Sequence, residues 1–358
     1  MKLIIEPDDG VEPLLSLIKG AKKRLDLTVF RFDRMDLERA LRTAIDKGVK
    51  VNALIAYANR GGEKSLRKLE LRFLEAGMTV ARTANDLIRY HNKVMVIDSR
   101  MLAVLSFNFT RLDIDRSRGF GVITKNKKWV AEASKLLDAD GKRRPYKCDS
   151  DTFVVSPANA RKVLGNFLKK AQKQLLIYDP KISDREMLHI LKEREKAGVE
   201  IRVIGQTKAS LPVRRLHNMR LHTRTIIRDG AQAFIGSQSL RGNELDARRE
   251  VGLIVQEAKI VHKLMATFES DWKSGFVHTA TARTAVPEDP ERAKVDAAKV
   301  MKVLAKELNP IATTVKRAVE KVVTETGEEI LRDEEIKETV KKVVKKVVKQ
   351  AVKDAVQA

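Results

Sequence analysis

Scarcity sets the first limits on this chain. One cysteine, Cys148, among 358 residues excludes an internal disulfide and a cysteine-based metal cluster. No His-x3-His spacing offers an alternative metal site, so neither a metal nor any other cofactor is expected. Aromatic residues make up 5% of the sequence, with no run of them that would stack the bases of a nucleic-acid strand. No apolar run approaches the ~20 residues that span a bilayer. The opening residues, Met1-Lys2-Leu3-Ile4-Ile5-Glu6-Pro7-Asp8-Asp9, are too acidic and too short in apolar run for a signal peptide. The expectation is a cytoplasmic protein with no transmembrane segment.

What the chain has in excess is positive charge, a formal +23 on a sequence that is 43% hydrophobic and 33% charged. The balance of apolar and charged residues fits a globular protein. The charge favours phosphate-bearing partners, whether nucleic acid, anionic lipid headgroups or phosphorylated metabolites, and does not choose among them.

The order of apolar and polar residues predicts alternating strands and helices. Lys2 to Glu6 reads as a strand, and Asp8 or Asp9 can cap a helix through Lys23. Leu25 to Phe30, Val49 to Ile55 and Met78 to Ala81 read as strands, with helices from Asp36 to Asp46 and from Ser65 to Ala76. The pattern then repeats. Val154-Val155-Ser156-Pro157 stands in for Ile4-Ile5-Glu6-Pro7, and Lys196-Ala197-Gly198-Val199 for Asp46-Lys47-Gly48-Val49, all at an offset of 150 residues. This is an α/β chain of two duplicated halves, residues 1–140 and 150–277, joined by the polar turn-rich stretch Asp138 to Pro145. Residues 291–358 differ in kind. Val340, Val343, Val344, Val347, Val348, Ala351 and Val352 form one apolar stripe on a lysine-rich helix. Such a tail packs on a helical partner or lies on an anionic membrane, and its shallow Val/Ala face, without Trp, Phe or Leu anchors, favours packing.

One constellation is written in both halves. His91-Asn92-Lys93 is followed by Asp98, Ser106 and Asn108, and His222-Thr223-Arg224 by Asp229 and Ser237. Both read His-x-(Lys/Arg)-x4-Asp with a serine eight residues on, now at an offset of 131, so the second copy is about 19 residues shorter between Gly198 and His222. On a strand, His91 and Lys93 would share a face, as would His222 and Arg224. Two such strands meeting across a pseudo-twofold axis place two imidazoles and two cations around one pocket, which suits a phosphodiester. One histidine attacks phosphorus and the other protonates the leaving oxygen. The basic stretch Thr207 to Arg220, leading into His222, is either a guide for an anionic substrate or a solvated connector.

These motifs resemble the phospholipase D superfamily, with Leu105-Ser106-Phe107-Asn108-Phe109-Thr110 similar to its Gly-Ser-x-Asn-Phe-Thr segment and Gly236-Ser237-Gln238-Ser239 to its second copy. The resemblance covers about residues 2–277. It implies two α/β halves packed around a shared interfacial site, a covalent phosphohistidine, no metal, and action on phospholipids or nucleic acids. It implies that His91 is the nucleophile and His222 the general acid, an order that is reversible. Lys93, Arg224 and Asn108 would bind the phosphate with support from Ser106 and Ser237, Glu250 would orient a histidine, and Asp98 and Asp229 would be structural. Four positions depart from the pattern: Arg224 replaces lysine, Ser239 replaces asparagine, Leu105 replaces glycine, and Gly119 stands where the first half's glutamate would be. The expectation is a phosphodiesterase or phosphatidyltransferase, with two alternatives: a nuclease, or a member that binds phosphate without turnover.

Overall fold

In the computed structural model, which describes residues 1–57, 63–84 and 86–276, the sequence repeat becomes a repeat of elements. The first half runs β1 (Lys2–Glu6), α1 (Glu12–Lys19), β2 (Arg24–Val29), α2 (Met35–Asp46), β3 (Lys50–Ile55), α3 (Glu63–Glu75), β4 (Thr79–Arg82), β5 (Arg89–Tyr90), β6 (Val94–Ile97), β7 (Met101–Leu105), α4 (Arg111–Arg116), β8 (Ser117–Thr124) and α5 (Lys127–Gly141). The second runs β9 (Phe153–Ser156), α6 (Ala160–Lys169), β10 (Gln174–Ile182), α7 (Arg185–Lys196), β11 (Glu200–Thr207), β12 (Val213–Arg214), β13 (Arg220–Leu221), β14 (Arg224–Arg228), β15 (Gln232–Gly236), α8 (Gly242–Asp246), β16 (Arg248–Val255) and α9 (Ala258–Ser274). The shortening of the second half falls on α3, which has no counterpart there, and on β4, whose place at the sheet edge beside β3 is taken beside β11 by the two-residue β12.

Each half builds one mixed sheet. The first is ordered β1-β8-β7-β6-β2-β3-β4, and the second repeats it as β9-β16-β15-β14-β10-β11-β12. Strands such as β6 (Val94-Met95-Val96-Ile97) are buried on both faces, which explains why they read as continuous apolar runs. Leu14, Leu41 and Phe73, from α1, α2 and α3, cover the outer face of the first sheet. Leu164 and Ile190, from α6 and α7, cover the second. The inner faces share one core that includes Phe120, Val122, Phe153, Tyr178, Val251 and Leu253, flanked by residues of α5 and α9. Tyr178 sits edge-on between Phe120 and Phe268, with ring centroids 5.3 and 5.0 Å away. Burying each such ring contributes roughly 1.5–3 kcal/mol.

The halves also exchange strands. β5 of the first half pairs in parallel with β16, and β13 of the second pairs in parallel with β8. Two buried ion pairs lock this exchange. Arg118, on β8, reaches Asp271 on α9 through Nε (2.8 Å) and Nη2 (2.9 Å), and Arg249, on β16, reaches Asp140 on α5 at 3.0 Å. Each arginine also donates to a carbonyl on its half's first strand, Glu6 O at 2.9 Å and Ser156 O at 3.1 Å.

Three local expectations change. α5 continues to Gly141, so Asp138 to Gly141 is helix and not linker; Asp140 is held there by its buried arginine. Asp9 does not cap α1, because its carboxylate turns back to accept from Ile5 N–H at 2.7 Å, and the cap residue is Val11. The strand expected to carry each histidine is broken, as described below. The tail expected to be helical, residues 291–358, lies outside the described residues. Among the described residues no helix is long and apolar enough to cross a membrane.

Asp271→Ala leaves Nε and Nη2 of Arg118, and the Tyr178 hydroxyl, which donates to Asp271 at 2.7 Å, buried without a partner. The expected loss is about 3–5 kcal/mol in urea unfolding. Asp138→Ala, which breaks only exposed pairs with Lys142 and Arg144, should leave the midpoint in place.

Candidate active site

The chain crosses between halves at each histidine. From β5, paired with the other half, His91 N–H donates to Arg249 O at 2.8 Å; β6 then begins at Val94 in the first sheet. From β13, His222 N–H donates to Arg118 O at 3.1 Å, and β14 begins at Arg224. The two motif segments are therefore kinks between strands, and the shared-face argument from strand alternation does not apply to them. A different device brings the groups together. Lys93 Nζ donates to the carbonyl of His91 at 2.5 Å, and Arg224 Nη1 donates to the carbonyl of His222 at 3.0 Å. Each cation folds back onto its own histidine segment.

Each imidazole meets a carboxylate. His91 Nδ1 lies 2.8 Å from Oε2 and 3.1 Å from Oε1 of Glu250, on β16 of the other half. His222 Nδ1 lies 3.3 Å from Oδ2 of Asp113, on α4 of the other half, off line for a hydrogen bond. Phe30 packs edge-on against His91 at 4.6 Å and has Lys93 Nζ 5.5 Å from its ring centre. His91, His222, Lys93 and Arg224 are 6, 7, 1 and 9% exposed, so the cluster is almost sealed. A surface cleft lined by Met1, Trp129 and Glu257 among others includes none of the motif residues.

Burial and like charge set the protonation states. Burial, then Lys93 and Arg224, push the His91 imidazole well below its ordinary pKa, so it stands neutral. Burial also lowers His222, with Asp113 opposing and Arg224 and Lys93 reinforcing. Burial brings the Lys93 ammonium down to about 7. The Glu250 carboxyl is raised by burial, against the pull of Lys93 and Arg224. Asp113 goes the other way: burial would raise it, but His222, the Asn108 N–H and Arg220 hold it below the usual carboxylate range.

The structure brings His91, Lys93, His222, Arg224 and Glu250 into this one cluster, through the contacts and charges just given. Asn108 also borders it. Its backbone N–H and Nδ2 donate to Asp113 Oδ2 at 2.8 and 2.6 Å, and its Oδ1 is buried without a partner. Ser106 and Ser237 face the sheets. Ser106 Oγ accepts from Phe120 N–H at 2.9 Å, and Ser237 Oγ accepts from Val251 N–H at 3.3 Å, tying β7 to β8 and β15 to β16. Asp98 accepts three backbone N–H groups, from Lys22, Lys23 and Arg24 at 2.7–2.9 Å, and Asp229 does the same for Gln172, Lys173 and Gln174. Both aspartates have positive φ, 51° and 54°, a conformation Asp adopts more readily than most residues. The segment Thr207 to Arg220 forms no helix; it ends β11, adds β12 and leads into β13.

Sequence reasoning missed Asp113 and its counterpart Glu244, which binds Ser239 N–H at 2.9 Å and lies among Arg241, Arg248 and Arg224 at 3.4, 2.8 and 3.9 Å. The signal was present. The 131-residue offset aligns Asp113 with Glu244, both acidic and both five residues after the Asn108/Ser239 position. Among the described residues no group of His, Cys, Asp or Glu is arranged to hold a metal ion.

The family described as "Cardiolipin synthase, PLD-like domain" matches residues 14–140 and 207–272, more than half of the chain. No curated protein matches the sequence. Two solved structures share the fold. A polyphosphate kinase from Porphyromonas gingivalis aligns at TM-score 0.64 and 17% identity, over 83% of this chain and 55% of the kinase, so the chain spans about half the length of that protein. A phosphatidylserine synthase from Haemophilus influenzae Rd KW20 aligns at TM-score 0.61 and 12% identity, over 86% of this chain and 94% of the synthase.

Because burial brings Lys93 down from its ordinary 10.5 to about 7, its charge costs stability when the protein is folded. Below pH 7 folded and unfolded chains are both protonated and the full cost is present; between 7 and 10.5 the folded lysine is neutral and the cost shrinks as pH rises. Lys93→Met is therefore expected to raise Tm over wild type below pH 7, with the advantage fading toward pH 10.5. A Tm difference independent of pH would contradict this.

Proposed function

The chain belongs to the family of phospholipase D-like domains described for cardiolipin synthase, and from that premise we propose that it is a phosphodiesterase or phosphatidyltransferase working through a phosphohistidine. The observation that carries the reading is the pair of nearly sealed histidines, one beside Glu250 and one beside Asp113, with Lys93 and Arg224 between them.

With Nδ1–H donated to Glu250, His91 presents the lone pair of Nε2 as a nucleophile toward phosphorus. Its neutrality, set by burial and two cations, keeps that lone pair free. Lys93 and Arg224 neutralise the non-bridging oxygens as charge builds on them, a contribution that grows in a site with so little water. Burial and the two cations hold the His222 pKa down, so His222 takes up a proton at Nε2 from solvent as the bound phosphodiester offsets Lys93 and Arg224. It gives this proton to the leaving oxygen and then takes one from the incoming water or alcohol, a role worth about 10²–10⁴ in rate. Arg224 matches the placement of Lys93 on its own histidine carbonyl, so the exchange of lysine for arginine keeps a cation in position.

The family description supports a phospholipid substrate and a phosphatidyl acceptor reaction. A second reading, a nuclease with the same chemistry, is favoured by the distribution of charge. The tail's lysines are nearly matched by its acids, so residues 1–278 carry most of the basic excess. A protein attached peripherally to membrane through the tail fits the first reading better.

Incubating the purified protein in EDTA with phospholipid vesicles and with DNA separates the two. His91→Ala and His222→Ala are each expected to abolish turnover on the preferred substrate while the circular dichroism spectrum is retained. His222→Ala should still accumulate an acid-labile, base-stable phosphohistidine on a substrate with a good leaving group, and His91→Ala should not. A double variant that still turns over would overturn the mechanism. A well-folded wild type silent on both substrates would favour phosphate binding without turnover.

A further inference from the structure

His91 keeps the partner that the repeat prescribes, Glu250; His222 does not. Position 119, 131 residues before Glu250, is glycine, and a Cβ placed there would sit 2.8 Å from Phe107 Cδ1 and 3.2 Å from Phe107 Cβ. Phe107 is fully buried against it. No side chain fits at this point, so the first half cannot offer a glutamate from β8.

The carboxylate arrives from α4 instead. Asp113 is 2% exposed, and its Oδ2 stands 3.3 Å from His222 Nδ1. The same oxygen is clamped by Asn108 through N–H (2.8 Å) and Nδ2 (2.6 Å), the other oxygen takes Arg220 Nη1 at 2.5 Å, and the Asp113 N–H donates to Thr110 Oγ1 at 3.2 Å. So many fixed donors leave the carboxylate ionised and unable to turn away. In the second half the equivalent acid, Glu244, is surrounded by Arg224, Arg241 and Arg248, and Glu250 serves the histidine. The charged groups that bear on His222 are Asp113, Arg224, Lys93 and Arg220, and Asp113 alone among these is negative.

We infer that Asp113, clamped by Asn108, is the positioning residue for His222: its carboxylate, 3.3 Å from Nδ1 though out of line for a hydrogen bond, holds the proton on Nδ1 by its charge, leaves Nε2 for the site, and stabilises the imidazolium that delivers the proton to the leaving group. The assignment rests on the two-histidine mechanism for its consequence in turnover but not for its structural content. It gives the histidines unequal partners. The ionised Asp113 sits beside His222, the proton donor, and the Glu250 carboxyl, pushed toward its neutral form by burial, sits beside His91, the nucleophile. It also gives Asn108 a task within the protein, that of aiming a carboxylate.

Two measurements on the full chain test it. The first reads the His222 ring directly, by ¹⁵N NMR of the imidazole nitrogens, with the resonance assigned through His222→Gln. In wild type His222 is expected as the Nδ1–H tautomer, and in Asp113→Ala as a mixture or as Nε2–H, with the His91 signals unmoved. An unchanged His222 tautomer overturns the proposal whether or not the protein turns over. The second compares kcat on an alkyl phosphodiester with kcat on bis(p-nitrophenyl) phosphate in Asp113→Asn, the isosteric variant least prone to unfold. Loss of proton delivery predicts a fall of about 100-fold on the first and a much smaller one on the second, whose leaving group needs no proton. Asp113→Glu is expected to restore part of the activity. Equal losses on both substrates, with a lowered Tm, would mean that Asp113 only holds the fold. A wild type inactive on both, with the tautomer still responsive to Asp113→Ala, would refute the proposed reaction and leave the positioning intact.

Discussion

Everything at the site depends on two backbone hydrogen bonds that cross between halves, His91 N–H to Arg249 O and His222 N–H to Arg118 O. Each makes the histidine the first residue after a two-residue strand borrowed by the opposite sheet. The arginines whose carbonyls accept these bonds are themselves fixed by Asp140 and Asp271, from the helices that close each half. The position of each imidazole is therefore set by the other half's sheet, helix and ion pair. Sliding one half against the other by one residue would break both bonds, put the exchanged strands β5 and β13 out of register with β16 and β8, and unpair two buried arginines. Duplication makes this possible, since only a copied motif can place its own histidine in its sister's sheet by the same geometry.

The same arrangement accounts for the strain in protonation. Lys93 is the least exposed cation of the cluster and is held to about 7 by burial, where an exposed lysine titrates at 10.5. The chain tolerates this cost because the ammonium has a carbonyl to bond and an aromatic ring, Phe30, nearby. In the proposed reaction, a cation so poorly solvated would have little to lose on binding phosphate and would meet the developing charge of a transition state at nearly full strength. The cluster is polar, sealed and short of stability, as expected where function outweighs folding.

Much of this was legible in the sequence. The offset of 150 residues, carried by Ile4-Ile5-Glu6-Pro7 and Val154-Val155-Ser156-Pro157, is the offset of α2 and α7, and the offset of 131 at the histidines is that of β8 and β16. A repeat of apolar spacing is a repeat of buried faces, so it reports architecture directly. The path of the chain at the histidines was hidden for a physical reason. Tyr90-His91-Asn92-Lys93-Val94 has the composition of one strand, but its two ends pair with different sheets, and pairing across a pseudo-twofold axis leaves no trace in periodicity. Asp138 to Gly141 was misread for a related reason: polar residues with a glycine resemble a linker until a distant arginine buries one of the acids. Asp113 was hidden because its helix is only six residues long, too short for any period to appear.

The departures of the second copy from the first are better understood as paired changes than as decay. Glu250 stands cross-strand from Ser156, and Gly119 stands cross-strand from Glu6, so each half keeps one carboxyl on this rung but on opposite strands. The exchange is not neutral. Glu6 is wholly buried, neither of its oxygens has a hydrogen-bond partner, and burial raises its pKa to about 8, so it is uncharged at neutral pH and supplies nothing to His222. A similar pairing links Asn108, which grips Asp113, to Ser239, whose hydroxyl donates to Asp179 at 2.7 Å, a residue for which the first half has Val29. In both cases the change alters which acid lies near which histidine while leaving the sheets unchanged. One shared site needs two imidazoles in different protonation roles, and two identical halves would give them identical surroundings. Unequal carboxylates remove that degeneracy, so under the proposed reaction the asymmetry that looks like loss in the sequence would distinguish the proton donor from the nucleophile.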